Sequence, residues 1–118
     1  MFKRPPFYKS LYYSFKGFIW ILKSERNFQL ELLAAIINLF LIVYLKLNLT
    51  DAALILIVCF VVLTAEIINT AIEKFCDFVE PDYNEKIGII KDLGAASVIV
   101  ASVLAIIVGV LVYSKYLL

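Results

Sequence analysis

Residues 52–72 read AALILIVCFVVLTAEIINTAI, twenty-one residues with one charged side chain, Glu66. A helix needs about 20 predominantly apolar residues to span the hydrocarbon core of a bilayer, so this stretch is predicted to cross a membrane. Upstream, residues 32–45 (LLAAIINLFLIVYL) are interrupted only by Asn38. Leu30, Leu47 and Leu49 lengthen that run to a full span, and Lys46 can snorkel from its end. Downstream, Leu93–Tyr113 holds 21 residues without a charge. Three transmembrane helices are therefore expected.

Composition agrees. Of 118 residues, 64% are hydrophobic and 18% charged, with a mean hydropathy of +0.96. An ordinary soluble domain is about 45–50% apolar and about 25% charged. A chain this short cannot hide so much apolar surface in one water-facing core. A soluble monomer, a disordered tail and a multidomain enzyme are excluded.

The amino-terminal 31 residues lack the continuous apolar core and small-residue cleavage site of a signal peptide. Leu11, Tyr12, Phe15, Phe18, Ile19 and Leu22 recur at helical spacing, with Lys9, Lys16 and Lys23 at the edge and Trp20 nearby. That pattern predicts an amphipathic helix at the membrane interface, started by Pro5 and Pro6. The whole chain is expected to be one domain, residues 1–118. Its interfacial helix should cover about residues 7–28 and its transmembrane helices about 30–49, 52–76 and 92–114.

Charge is unevenly placed. Residues 1–31 carry six basic residues (Lys3 among them) and two acidic ones, a balance of +4, whereas residues 66–92 carry three and seven, a balance of −4. Basic flanks stay cytoplasmic, which places the amino terminus inside and the carboxyl terminus outside. Cys59 and Cys76 stand 17 residues apart in the chain. On one helix that is about 25 Å, too far for a disulfide. The chain has no histidine, which excludes His-based zinc sites and Ser–His or Cys–His nucleophiles.

The second span ends in AEIINTAIEKFCD, residues 65–77. At about 100° per residue, Glu66, Asn69, Thr70, Glu73 and Asp77 share one face roughly 100° wide. An acidic residue at a helix centre costs about 2.5–3.5 kcal/mol, and each Leu, Ile, Val or Phe offsets about 0.3–0.6. The apolar run ahead of Glu66 is long enough to carry one or two carboxylates into the membrane. Such carboxylates normally face a bundle interior and mark ion, proton or substrate sites. Oxygen donors on one face suit a hard cation such as Mg²⁺, and Mg²⁺ in turn suggests phosphates. The plain structural alternative is polar glue between helices. Glu25, at the head of the first span, is expected at similar depth to Glu73 and Asp77. Lys91–Asp92 is expected at the entry to the third span, where a lysine can meet phosphate oxygens. No GxxxxGK[ST] loop and no GxGxxG is present, so a P-loop or protein-kinase fold is absent.

Residues 66–77, EIINTAIEKFCD, closely resemble the signature of the bacterial integral-membrane diacylglycerol kinase family, which includes undecaprenol kinases. The resemblance continues through residues 91–96 (KDLGAA), Glu25 and Glu31 ahead of the first span, and residues 13–17 (YSFKG). It implies an all-α homotrimer of three-span protomers in the bacterial cytoplasmic membrane, with active sites shared between neighbours at the cytoplasmic face. It implies transfer of the γ-phosphoryl group of MgATP to a lipid hydroxyl, diacylglycerol or undecaprenol, with no nucleic acid among the partners. Carried over by position, Glu66 is the general base, Glu25 and Glu73 hold Mg²⁺, and Asn69, Asp77 and Glu31 support the site and substrate. Tyr13, Lys16, Glu25, Glu73, Glu80, Pro81, Asp82, Lys91 and Asp92 hold the nucleotide. Ala95 stands where many diacylglycerol kinases carry Ser, and Ser97 follows it; residues 24–27, SERN, look more like the undecaprenol kinases of Gram-positive bacteria. An ion- or proton-coupled transporter subunit using Glu66, and a structural adaptor, are the competing readings.

Overall fold

The structure, a computed structural model, describes residues 4–82 and 84–118; Lys3, counted above among the basic residues, lies outside them. Four helices follow in order, α1 (Phe7–Ser24), α2 (Arg26–Tyr44), α3 (Leu49–Val79) and α4 (Glu85–Leu117). The last three are long and apolar enough to cross a membrane, as the sequence predicts. α3 is central, packing most extensively on α4 and also on α2, while α1 packs on α2. The molecule measures 56 × 39 × 21 Å. Its thinnest dimension is only about two helix diameters, so apolar side chains stay uncovered on both faces.

α1 starts after Pro6, whose carbonyl accepts from the backbone N–H groups of Lys9 and Ser10 at 3.0 Å. It closes at Ser24 rather than near residue 28, because Glu25 is extended (φ −112°, ψ 113°). The Gln29 side chain donates to Leu22 O at 2.9 Å, satisfying a carbonyl that the helix end leaves open. Phe28 is fully buried beneath α1, edge-on to Phe18 with ring centroids 5.7 Å apart. The result is a corner with Glu25 at its bend.

At the opposite end α2 closes with Lys46 at φ 55°. Leu47 N–H bonds to Ile42 O at 3.1 Å and Lys46 N–H to Val43 O at 3.3 Å, a Schellman closure that more often uses Gly at that place. Asn48 then caps α3, its Oδ1 accepting from Asp51 N–H at 2.8 Å. Asp51 is buried and accepts from Tyr116 Oη at 2.7 Å and Lys115 Nζ at 2.9 Å. Asn38, the lone polar residue of the first span, accepts from Tyr113 Oη at 2.6 Å. The start of α3, the end of α4 and the outer half of α2 are thereby tied together.

α4 begins at Glu85, seven residues before the expected boundary near 92. Asn84 caps it, accepting from Lys86 N–H at 2.9 Å, with Glu85 in the first turn. Lys91 and Asp92 therefore lie inside a helix and not at its entry. At about 46 and 50 Å, α3 and α4 exceed the hydrocarbon thickness of about 30 Å.

Candidate active site

On α3 the buried residues Ile55, Val58, Val62, Glu66, Asn69 and Cys76 recur at steps of three, four or seven. The packing stripe of the helix thus changes from apolar to polar without changing face. Glu66 is 6% exposed, Asn69 8% and Thr70 7%. Glu73 is half-buried on the same line, and Asp77 is exposed. Both cysteines are free.

Asn69 Nδ2 donates to Glu73 Oε1 at 3.1 Å. Its Oδ1 is buried with no hydrogen-bond partner among the described residues and lies against Gly94 of α4. A Cβ on residue 94 would strike that oxygen. Gly94 is thus the position that lets α4 close over the amide. Three residues on, Ser97 Oγ donates to Gly94 O at 2.6 Å, so its hydroxyl is committed to its own helix. Ala95 is exposed.

Glu31, Glu73 and Glu25 are the charged groups within electrostatic reach of Glu66. Carboxylates from α2, α3 and the α1–α2 corner therefore face one region around Glu66. Among the described residues, no three acidic or cysteine side chains stand close enough together to hold a metal ion. Glu25 pairs instead with Lys74 Nζ at 3.5 Å.

Beyond the carboxylates, a cleft of about 320 Å³ opens at the α3–α4 connection, lined by Glu80, Pro81, Asp82, Asn84, Ile87, Gly88, Lys91 and Asp92. Five of the residues assigned to the nucleotide from the resemblance, Glu80, Pro81, Asp82, Lys91 and Asp92, line this cleft together. Asn84, Ile87 and Gly88 are additions. Gly88 precedes Lys91 and Asp92 by one helical turn, a spacing that puts it on their face once α4 is known to start at Glu85. Lys91 Nζ forms an ion pair with Asp77 Oδ1, linking the cleft to the end of the α3 stripe.

Tyr13 and Lys16 are exposed on α1. Lys16 Nζ lies over the rings of Tyr12 and Tyr13, 5.5 and 5.9 Å from their centroids. Among the described residues neither side chain bonds to α3 or α4, so one chain does not bring them to the cleft. Between α1 and α3 lies a second cavity, of about 380 Å³. Phe18, Trp20, Ile21, Ile67 and Ala71 give it apolar walls, and Thr70, the i+4 neighbour of Glu66, opens onto it.

A carboxylate stripe buried at Glu66 and open at Asp77, an apolar cavity beside it and a charged cleft on the same end of the bundle make a candidate site with an apolar and a polar side. Residues 12–113 match the family model for prokaryotic diacylglycerol kinase. The chain is 32% identical over 101 residues to the diacylglycerol kinase of Escherichia coli K12, covering 84% of this chain and 81% of that one. It is 30% identical over 119 residues to the diacylglycerol kinase of Helicobacter pylori 26695, covering 99% and 87%. It is 28% identical over 107 residues to the undecaprenol kinase of Bacillus subtilis 168, covering 91% and 87%. The chain belongs to the prokaryotic diacylglycerol kinase family. It is a multi-pass membrane lipid kinase, rather than a transporter subunit or an adaptor.

Proposed function

We propose that the protein transfers the γ-phosphoryl group of MgATP to the hydroxyl of diacylglycerol or undecaprenol, giving phosphatidic acid or undecaprenyl phosphate. The observation that carries this reading is the position of Glu66, buried on α3 next to Thr70, which opens onto the apolar cavity, with the Glu80–Asp92 cleft on the same end of the bundle. The lipid tail occupies the apolar side and presents its hydroxyl to the stripe. Glu66 accepts the hydroxyl proton, the lipid oxygen bonds to the γ-phosphorus, and the bond from that phosphorus to the β,γ-bridging oxygen breaks. ADP leaves by the cleft.

Phosphoryl transfer depends on positioning and charge neutralisation, and the remaining residues divide those tasks. Lys91 neutralises phosphate oxygens, and the polar rim of Glu80, Pro81, Asp82 and Asp92 holds the nucleotide. Asn69 orients Glu73, to which it is hydrogen-bonded. Mg²⁺ is held in proteins by one or two carboxylates together with substrate phosphates. Glu25 and Glu73 would be the carboxylates that hold it, together with the nucleotide. When bound, the ion would supply positive charge against the phosphoryl oxygens.

A homotrimer with shared sites accounts for what one chain lacks. Tyr13 and Lys16 reach the nucleotide of a neighbour, and neighbours cover the apolar faces. The basic amino-terminal segment supports a reading in which α1 lies along the cytoplasmic interface of the bacterial inner membrane, with the site on that side.

The test is a vesicle assay with labelled ATP and each acceptor in turn. Labelled phospholipid from at least one acceptor is expected, and Glu66→Gln is expected to abolish turnover while the oligomer elutes unchanged. An intact oligomer that labels neither acceptor overturns the kinase assignment, and an active Glu66→Gln overturns its role as base.

A further inference from the structure

Lys74 interrupts the acidic end of α3, next to Glu73, and the family resemblance gives it no task. Its ammonium lies 3.5 Å from Glu25 Oε1 and 5.6 Å from the ring centroid of Trp20. Its side chain is 55% exposed, so water is available to it, yet the head group is drawn back over α1. We propose that Lys74 is a positioning residue that holds the Glu25 carboxylate, and with it α1, against α3 at the mouth of the apolar cavity. This rests on the reading of Glu25 and that cavity as parts of the kinase site.

Glu25 is available for this role because its carboxylate caps no helix end. It stands at the end of α1 and the start of α2, and its side chain makes no capping hydrogen bond at either. The carboxylate is instead turned towards α3.

α1 in turn has few other ties to α3. Among the described residues no hydrogen bond joins the two helices, and the gap between them is the 380 Å³ cavity itself. Apolar packing at the Phe18–Phe28 corner fixes α1 to α2 but leaves its swing over α3 open. Lys74 spans that gap, its stem lining the cavity and its head reaching both Trp20 and Glu25. With Lys74 in place, Glu25 faces the stripe that bears Glu73, and the cavity keeps α1 as its wall.

Trp20 is the single tryptophan of the chain, so its emission reports the docking of α1 directly. The experiment compares Lys74→Met, which keeps the apolar stem and removes the charge, with Lys74→Arg and the parent oligomer in lipid vesicles. A half-exposed ion pair and a cation–π contact each contribute modestly. The expected fall in kcat/KM for the lipid is therefore about tenfold and not complete. Acrylamide quenching of Trp20 should rise in Lys74→Met, KM for MgATP should rise with it because Glu25 is released, and Lys74→Arg should restore both quenching and turnover. A Lys74→Met oligomer that quenches like the parent, or that keeps the parent's KM for MgATP, overturns the assignment. If the parent phosphorylates neither lipid, it is the kinase reading that fails, and the quenching comparison still decides whether Lys74 holds α1.

Discussion

Gly94 has an ordinary helical backbone, and its role comes from the atom it lacks. The buried Asn69 Oδ1 fills the space where a Cβ would stand, and Asn69 in turn holds Glu73 through a 3.1 Å hydrogen bond. Gly94→Ala displaces the tip of a side chain and no backbone, so its effect on thermal stability should be small. Its effect on catalysis should be larger, because the amide must turn away from Glu73. Losing one such hydrogen bond is worth about 1 kcal/mol, so kcat for lipid phosphorylation is expected to fall about fivefold to tenfold. An unchanged kcat in Gly94→Ala would mean that the Asn69–Glu73 contact has no part in turnover. The sequence showed Asn69 and Glu73 on one helical face. It was silent on Gly94, since a glycine within a helix looks the same whether it is idle or pressed against an amide.

At the scale of helices, the periodicities of the sequence located all four elements, but their ends depended on local chemistry that patterning does not carry. The break at Glu25 contains neither Gly nor Pro and is made by the buried Phe28 and the Gln29 cap. The start of α4 at Glu85 was legible in principle from Asn84 followed by an acidic first turn, yet the apolar run begins only at Leu93. The clasp at the far end was not legible, because Asp51, Lys115 and Tyr116 are 64 and 65 residues apart in the chain. It makes an asymmetric prediction. Asp51 is buried in the protein while the Lys115 side chain is 57% exposed. Removing the lysine strands a carboxylate, whereas removing the carboxylate leaves a lysine free to meet water. Lys115→Met should therefore lower the thermal midpoint in detergent more than Asp51→Asn does, and adding Asp51→Asn to Lys115→Met should recover part of the loss. Equal losses from the two single changes would show that the clasp gains little from its charge.

The whole molecule is a thin slab whose buried large side chains are few, Phe28 and Ile55 being the ones fully enclosed. Leu33, Ile36, Phe40, Phe60, Ile99, Ile106 and Val110 are all exposed, as expected of surfaces that meet lipid or other copies. This arrangement explains why the site was only partly recoverable from one sequence. Residues close in the chain or one turn apart, such as Glu66, Asn69 and Glu73, share a face that spacing alone shows, and those on one connection, Glu80 to Asp92, gather into one cleft. Tyr13 and Lys16 belong to the same signature but stay on the exposed side of α1, and no fold of a single chain shown here brings them to α3. If the active unit is a closed ring of copies, residues from different chains complete each site. Two inactive variants, Tyr13→Ala and Glu66→Gln, then carry their lesions in different halves of a shared site. Mixed in equal amounts, unfolded and reassembled, they should recover activity in about a quarter of the sites, those formed where each chain contributes its intact half. Sites built wholly within one chain would recover none. The measurement is lipid phosphorylation by the mixture against each variant reassembled alone, and activity no greater than theirs would place Tyr13 and Glu66 in the same protomer's site.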